Sequence, residues 1–258
     1  MGIAKPERLW EIDALRTLAI VLMVVYHAGY DVNLLTPDVA INPYDGLWRA
    51  VQVICGSLFL AIVGVSFWVS HARAISRGVS GMALWCVHAP RALEVLAGAA
   101  AVSLATRVAL GPEDAVRFGI LHLIGVLLLV VLPLLVRLGA WNAALGAAIV
   151  VTGLLVEAKS SVPGALVLGF VPPENGVDWY PLMPWAGAAL LGLALSTRLY
   201  PDGSRGPLLR RLPRVSRLGT KAGGPGRHSL PIYLVHQPIL VAAIAAILAI
   251  VGLEIDPS

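Results

Sequence analysis

The sequence has few charged residues and almost no cysteine. Asp, Glu, Lys and Arg make up 13% of the 258 residues, against 58% hydrophobic residues. A soluble domain carries about a quarter charged residues, so this composition excludes an ordinary soluble fold. The two cysteines, Cys55 and Cys86, lack metal-ligand spacing. We therefore expect structural thiols rather than a disulfide or a zinc site.

The sequence also lacks features that are typical of transporters and of secreted proteins. The sequence contains no internal repeat and no pair of broken apolar segments, which disfavours a transporter or flippase. No small-residue cleavage site follows the first apolar run, so we expect an uncleaved span rather than a signal peptide. The isoelectric point near 9.3 indicates anionic lipid or an anionic ligand rather than nucleic acid.

Long apolar runs dominate what is present. A helix that crosses a bilayer needs roughly 20 mainly apolar residues. Seven stretches meet this length: about 13–30, 46–70, 92–110, 118–136, 140–157, 181–199 and 229–252. The sequence therefore predicts an all-α integral membrane protein of about seven transmembrane helices, built as a single domain over residues 1–258 and placed in the cell (inner or plasma) membrane.

The basic residues predict the orientation. With the N-terminus in the cytoplasm, fifteen of the 19 Lys and Arg residues lie on the inner side. The positive-inside rule then predicts a cytoplasmic N-terminus and an outer C-terminus. The segment 200–228 is rich in Gly and Pro and carries seven basic residues against the single acid Asp202. We expect a flexible arm or a segment lying on the inner face.

Four ionisable residues share one face of the first span. Asp13, Arg16, His27 and Asp31 fall within an arc of about 60° on a helix. Ionisable groups inside a span are costly, so a functional site is the default hypothesis. The alternative for Arg16 is a topology anchor paired with Asp13 three residues earlier.

Later spans add two more histidines. His122 is expected at a depth similar to that of His27, and the two could meet across a helix pair. The alternative is an interfacial side chain bonded to backbone. His236 and Gln237 are expected below the inner surface, within reach of Tyr233. Hydrogen bonding between helices is an equal alternative for them.

The four residues on this face suit general-base catalysis. His27 can act as a general base if Asp31 holds one ring nitrogen. Arg16 lies about 16 Å away along the helix and suits a long anionic ligand, because a guanidinium binds phosphate oxygens in a fork.

Four segments also carry a family resemblance. They are Arg8-Leu-Trp-Glu-Ile-Asp-Ala-Leu-Arg16, which continues to His27, Phe118-Gly-Ile-Leu-His-Leu-Ile-Gly125, Asp178-Trp-Tyr-Pro-Leu-Met-Pro-Trp185 and Gly226-Arg-His-Ser-Leu-Pro-Ile-Tyr-Leu-Val-His-Gln-Pro238. Together they resemble the transmembrane acyltransferase superfamily, and most closely its bacterial domain related to heparan-α-glucosaminide N-acetyltransferase. The first segment also resembles the Arg-x10-His motif of the acyltransferase type 3 family.

The resemblance implies acetyl-CoA as the acyl donor, reached from the cytoplasm, and a sugar or glycan acceptor on the outer side. It implies that Arg16 and His27 are the functional pair. Together with the spacing described above, we expect catalytic roles for His27, Asp31 and His122, donor binding by Arg16, Asp13, Tyr233 and His236, and no metal. Thr17 replaces a common Gly, and residues 31–70 lack the histidine that the eukaryotic enzyme uses. A homodimer stays open, and a transporter or a non-catalytic assembly subunit is the alternative function.

Overall fold

The structure is a computed structural model, and it describes residues 8–36, 42–43, 45–156, 163–170, 177–213 and 217–252. These residues form helices and connecting turns, with no strand among them. The helices are α1 (Trp10–Leu35), α2 (Gly46–Ser76), α3 (Met82–Leu110), α4 (Ile120–Val126), α5 (Leu132–Leu135), α6 (Asn142–Leu155), α7 (Ala165–Leu168), α8 (Leu182–Leu199), α9 (Arg217–Ala222) and α10 (Ser229–Val251).

Within the described ranges, six helical stretches are long and apolar enough to cross a membrane. One of them, Ile120–Leu155, has 36 residues, and a straight helix of that length would measure about 54 Å, well beyond a bilayer core of about 30 Å. Its helical path is interrupted at Gly139, where φ is 54° and ψ is −122°. The stretches 118–136 and 140–157 thus correspond to the two sides of this break. The all-α, multi-pass fold is confirmed, whereas the orientation of the termini stays a prediction.

The described chain forms two compact units. The terminal unit contains residues 8–59 and 217–252, and the central unit contains residues 60–213. In the terminal unit, α10, α9 and a 3-10 turn at Pro225–His228 all pack against α1. The single domain over residues 1–258 stays a prediction.

Backbone contacts between helices organise the central unit. A Cβ atom at Gly64 of α2 would lie 2.0 Å from the carbonyl oxygen of Ala189, and one at Gly192 of α8 would lie 2.1 Å from that of Ala61. Such approaches require glycine, and small residues at helix contacts are typical of membrane bundles. Helices α6 and α8 also pack together, and α3 packs against α4.

The basic segment after α8 is held at several points. The indole N–H of Trp68 donates to the carbonyl oxygen of Tyr200 at 2.8 Å, and Arg73 donates to that of Gly203 at 2.8 Å. These bonds attach the beginning of the segment to α2 within the central unit. Residues 217–228 pack instead on α1 in the terminal unit.

Candidate functional site

Three arginines surround one buried carboxylate near the start of α1. Asp13 is 4% exposed. Its two oxygens contact Arg16 at 2.7 Å and Arg8 at 2.9 Å, and Arg227 of the 3-10 turn lies 3.7 Å away. The side chains of Arg16 and Arg227 are about a quarter exposed. Three guanidiniums gathered at one place are groups that can bind an anion.

Close packing holds the 3-10 turn against α1 at this end. The backbone N–H of Gly226 donates to the hydroxyl of Thr17 at 2.9 Å, and the same hydroxyl donates to the carbonyl oxygen of Asp13 at 3.2 Å. A Cβ atom at Gly226 would lie 2.0 Å from that Asp13 oxygen. Thr17 thus ties the turn that carries Arg227 to the helix that carries Asp13 and Arg16.

An apolar cluster follows along the same face of α1. Ile20 and Met23 are buried together with Cys55 of α2, and Ile232 and Tyr233 of α10 pack against them. These residues separate the arginine end of the face from His27, which lies about 16 Å beyond Arg16 along the helix. Tyr233, predicted to bind the donor, is therefore part of an apolar contact between α1 and α10.

His27 is held in one tautomer by its own helix. Its Nδ1 lies 2.9 Å from the carbonyl oxygen of Met23. A carbonyl oxygen only accepts, so Nδ1 carries the proton and Nε2 keeps its lone pair. The ring of His236 meets that of His27 edge to face, with centroids 4.8 Å apart. His236 is fixed in the same way, because its Nδ1 lies 2.6 Å from the carbonyl oxygen of Tyr233.

Asp31 lies one turn beyond His27 and is fully buried, with no exposed surface. The amide nitrogen of Gln237 donates to its Oδ1 at 2.5 Å, across 206 residues of sequence. Three buried atoms at this end have no hydrogen-bond partner among the described residues: Asp31 Oδ2, His236 Nε2 and Gln237 Oε1. The orienting partner of His27 is thus the Met23 carbonyl, while Asp31 is engaged with Gln237.

His122 belongs to the central unit, where both ring nitrogens are engaged. The backbone N–H of Gly119 donates to its Nδ1 at 3.2 Å, so Nε2 carries the proton and lies 3.5 Å from the hydroxyl of Ser103. That hydroxyl donates in turn to the carbonyl oxygen of Val116 at 2.6 Å. His122 therefore caps the start of α4. This is the alternative that the sequence left open, a histidine side chain bonded to backbone.

The second and third sequence motifs meet at this cap. The Asp178 carboxylate lies 3.4 Å from the backbone nitrogen of Ile120, and the backbone N–H of Tyr180 donates to the carbonyl oxygen of Phe118 at 3.0 Å. Both motifs thus contribute to the start of α4. Within the described ranges, no group of three or more His, Cys, Asp or Glu side chains is placed to hold a metal.

Six of the seven predicted site residues lie in the terminal unit, where arginine and histidine residues lie at opposite ends of one face of α1. Asp13 and Arg16 form the arginine end, whereas His27, Asp31 and His236 form the other end, with Tyr233 between them. The sequence did not single out Thr17 and Arg227 as site residues, and it named Gln237 without pairing it with Asp31. Their signals were a polar residue on the α1 face and the polar start of the last span, but spacing alone could not pair them.

Comparison with known proteins supplies the family. Residues 8–238 match the family model described as heparan-alpha-glucosaminide N-acetyltransferase, catalytic. No curated protein matches the chain, and no solved structure matches it. The match extends over most of the chain and includes both ends of the polar face on α1 as well as the cap of α4. The chain belongs to the heparan-alpha-glucosaminide N-acetyltransferase catalytic family.

Proposed function

We propose that this multi-pass membrane protein transfers an acetyl group from acetyl-CoA to a hydroxyl or amine of a sugar-type acceptor, with His27 as the general base. The family consists of transmembrane acetyltransferases that use acetyl-CoA as donor. The observation that carries the proposal for this chain is the tautomer of His27, whose Nε2 keeps a lone pair because Nδ1 faces the Met23 carbonyl.

The arginine end supports binding of the donor. Coenzyme A carries several phosphate charges, and Arg8, Arg16 and Arg227 present three guanidiniums around Asp13. A guanidinium matches a phosphate with two parallel hydrogen bonds. With the predicted orientation of the termini, this end faces the cytoplasm, where the donor is made. The Arg-x10-His spacing that resembles the acyltransferase type 3 motif then links the donor end to the base.

The reaction needs one base and returns its proton. His27 Nε2 takes the proton from the acceptor hydroxyl or amine as that oxygen or nitrogen forms a bond to the acyl carbon. The bond between the acyl carbon and the coenzyme sulfur breaks, and the thiolate takes the proton back from the imidazolium. Burial of the site keeps water from competing with the acceptor.

We assign the remaining predicted residues, His236, Asp31 and His122, to three different roles. His236 contacts His27 through its ring, so we place it beside the base rather than with Arg16 at the donor end. Asp31 acts at the acceptor end together with Gln237. We leave His122 a structural role, because both of its ring nitrogens are engaged in the cap of α4.

Substituting the base tests the proposal directly. His27→Ala should lower acetyl transfer to a panel of glycosides by about 10²–10⁴-fold, the range for loss of a positioned base, while acetyl-CoA binding is kept. The matched control is His228→Ala, because His228 is exposed on the 3-10 turn and should leave turnover unchanged. Near-native turnover of the His27 variant would show that His27 is not the general base. A stable wild-type protein that neither binds acetyl-CoA nor transfers the acetyl group would favour the transporter or assembly-subunit alternative.

A further inference from the structure

The His27 end of the terminal unit presents acceptor atoms without matching donors. Asp31 Oδ2, Gln237 Oε1 and His236 Nε2 are all buried and have no hydrogen-bond partner among the described residues. Leaving a buried polar atom unpaired costs about 1–3 kcal/mol, so three such atoms in one place call for an explanation.

Bonding identifies the Gln237 and His236 atoms as acceptors, and Asp31 Oδ2 is one when Asp31 is ionised. The Gln237 amide turns its nitrogen toward Asp31 Oδ1, because its oxygen would repel the carboxylate. Its Oε1 must then point elsewhere. His236 uses its only proton on the Tyr233 carbonyl, so Nε2 is left with a lone pair. In its ionised form Asp31 accepts at both oxygens.

The two ends of the α1 face therefore demand opposite partners. The arginine end offers guanidinium donors and takes an anion, whereas the His27 end offers acceptors and takes a group that donates hydrogen bonds. A carboxylate or phosphate placed at the His27 end would face Asp31 and two lone pairs, which is strongly unfavourable in a dry site. Adjacent hydroxyl groups supply the donors that are missing.

We propose that Asp31, His236 and Gln237 form a subsite for a neutral, vicinal hydroxyl pair, and that Gln237 and Asp31 select against acceptors with a negative charge beside the reacting group. The proposal rests on the proposed function for the identity of the bound molecule as acceptor. Gln237 acts as a positioning and specificity residue in this scheme: it orients the Asp31 carboxylate and presents its own oxygen to the ligand. His27 lies one turn away with its Nε2 available for the reacting hydroxyl.

Binding without turnover tests the subsite. Saturation-transfer NMR on the whole protein in nanodiscs, with and without coenzyme A, would compare methyl β-glucopyranoside with methyl β-glucuronide, which differ by one carboxylate. We expect the neutral glycoside to bind at least about ten-fold more tightly, which corresponds to about 1.4 kcal/mol. Equal binding of the two glycosides would overturn the proposal.

Two glutamines give a matched pair of variants. Gln237→Leu removes the amide from the subsite and should weaken binding of the neutral glycoside about ten-fold. Gln52→Leu removes the half-buried glutamine that contacts Arg49 on α2 and should leave that binding unchanged. Unchanged binding in Gln237→Leu overturns the proposal. If that variant fails to fold, the comparison of the two glycosides on the wild-type protein still tests the subsite.

The same samples separate this proposal from the proposed function. Wild-type protein that binds acetyl-CoA but neither glycoside would overturn the subsite and would leave ordered water as the partner of the three atoms. Protein that binds the neutral glycoside with the expected selectivity but does not bind acetyl-CoA would support the subsite and contradict the donor part of the proposed function.

Discussion

Replacement of Gly226 by alanine should separate the 3-10 turn from α1. The added Cβ would lie 2.0 Å from the carbonyl oxygen of Asp13 and 3.0 Å from the Cβ of Arg16, so the turn must move by more than 1 Å. Overpacking of this kind costs about 1–3 kcal/mol. The shift also breaks the bond from the Gly226 N–H to the Thr17 hydroxyl, worth about 0.5–1.5 kcal/mol. We expect a total loss of about 2–4 kcal/mol in the free energy of unfolding.

Gly224→Ala is the matched control, since it adds the same methyl group two residues earlier. Gly224 has a helical φ of −53°, and its nearest neighbour to an added Cβ is the carbonyl oxygen of Lys221 at 3.1 Å. Its effect should stay within about 1 kcal/mol. Equilibrium unfolding in SDS and mixed micelles measures both variants. If Gly226→Ala unfolds at the same SDS fraction as Gly224→Ala, the docking of the turn on α1 does not stabilise the protein as described.

Three further predictions concern the donor end, the topology and the α4 cap. Arg16→Ala should weaken acetyl-CoA binding by a factor of at least about ten, by isothermal titration, whereas Arg210→Ala changes it little; equal effects would reassign Arg16 to structure. Ala40→Cys, made in a Cys86→Ser background, should react with an impermeant reagent in intact cells, and labelling only after lysis would contradict the orientation. His122→Ala should lower the free energy of unfolding by about 1–3 kcal/mol and leave kcat near the wild-type value at low temperature, so a fully stable but inactive variant would return His122 to catalysis.

The spans follow from local sequence, because each helix must bury its own backbone bonds in lipid. The apolar stretch 229–252 matches α10 (Ser229–Val251), and 46–70 lies within α2. The helix bounds differ more where hydropathy changes before the helix ends. Helix α3 begins at Met82, ten residues before the predicted start. The apolar stretch begins only after Pro90 and Arg91, whereas the helix continues through both residues.

The face of α1 was also predictable, but its partners were not. Helical periodicity puts Asp13, Arg16, His27 and Asp31 on one side, and the Arg16–Asp13 ion pair at three-residue spacing is present. Periodicity does not say which distant helix covers that side. The structure pairs Nδ1 of His27 with the Met23 carbonyl of its own helix rather than with Asp31, and Asp31 accepts from Gln237 of α10.

The pairing of α1 with α10 has a consequence for synthesis. The first span carries Asp13 and Asp31, whose partners Arg227 and Gln237 belong to the end of the chain. The gap of 206 residues between Asp31 and Gln237 takes about 10–40 s to translate at 5–20 residues per second. During that time α1 resides in the membrane without these partners. We therefore expect a nascent chain truncated before Pro225, which lacks both Arg227 and Gln237, to lose its first span to membrane quality control, even though helices α1 to α9 have already been made.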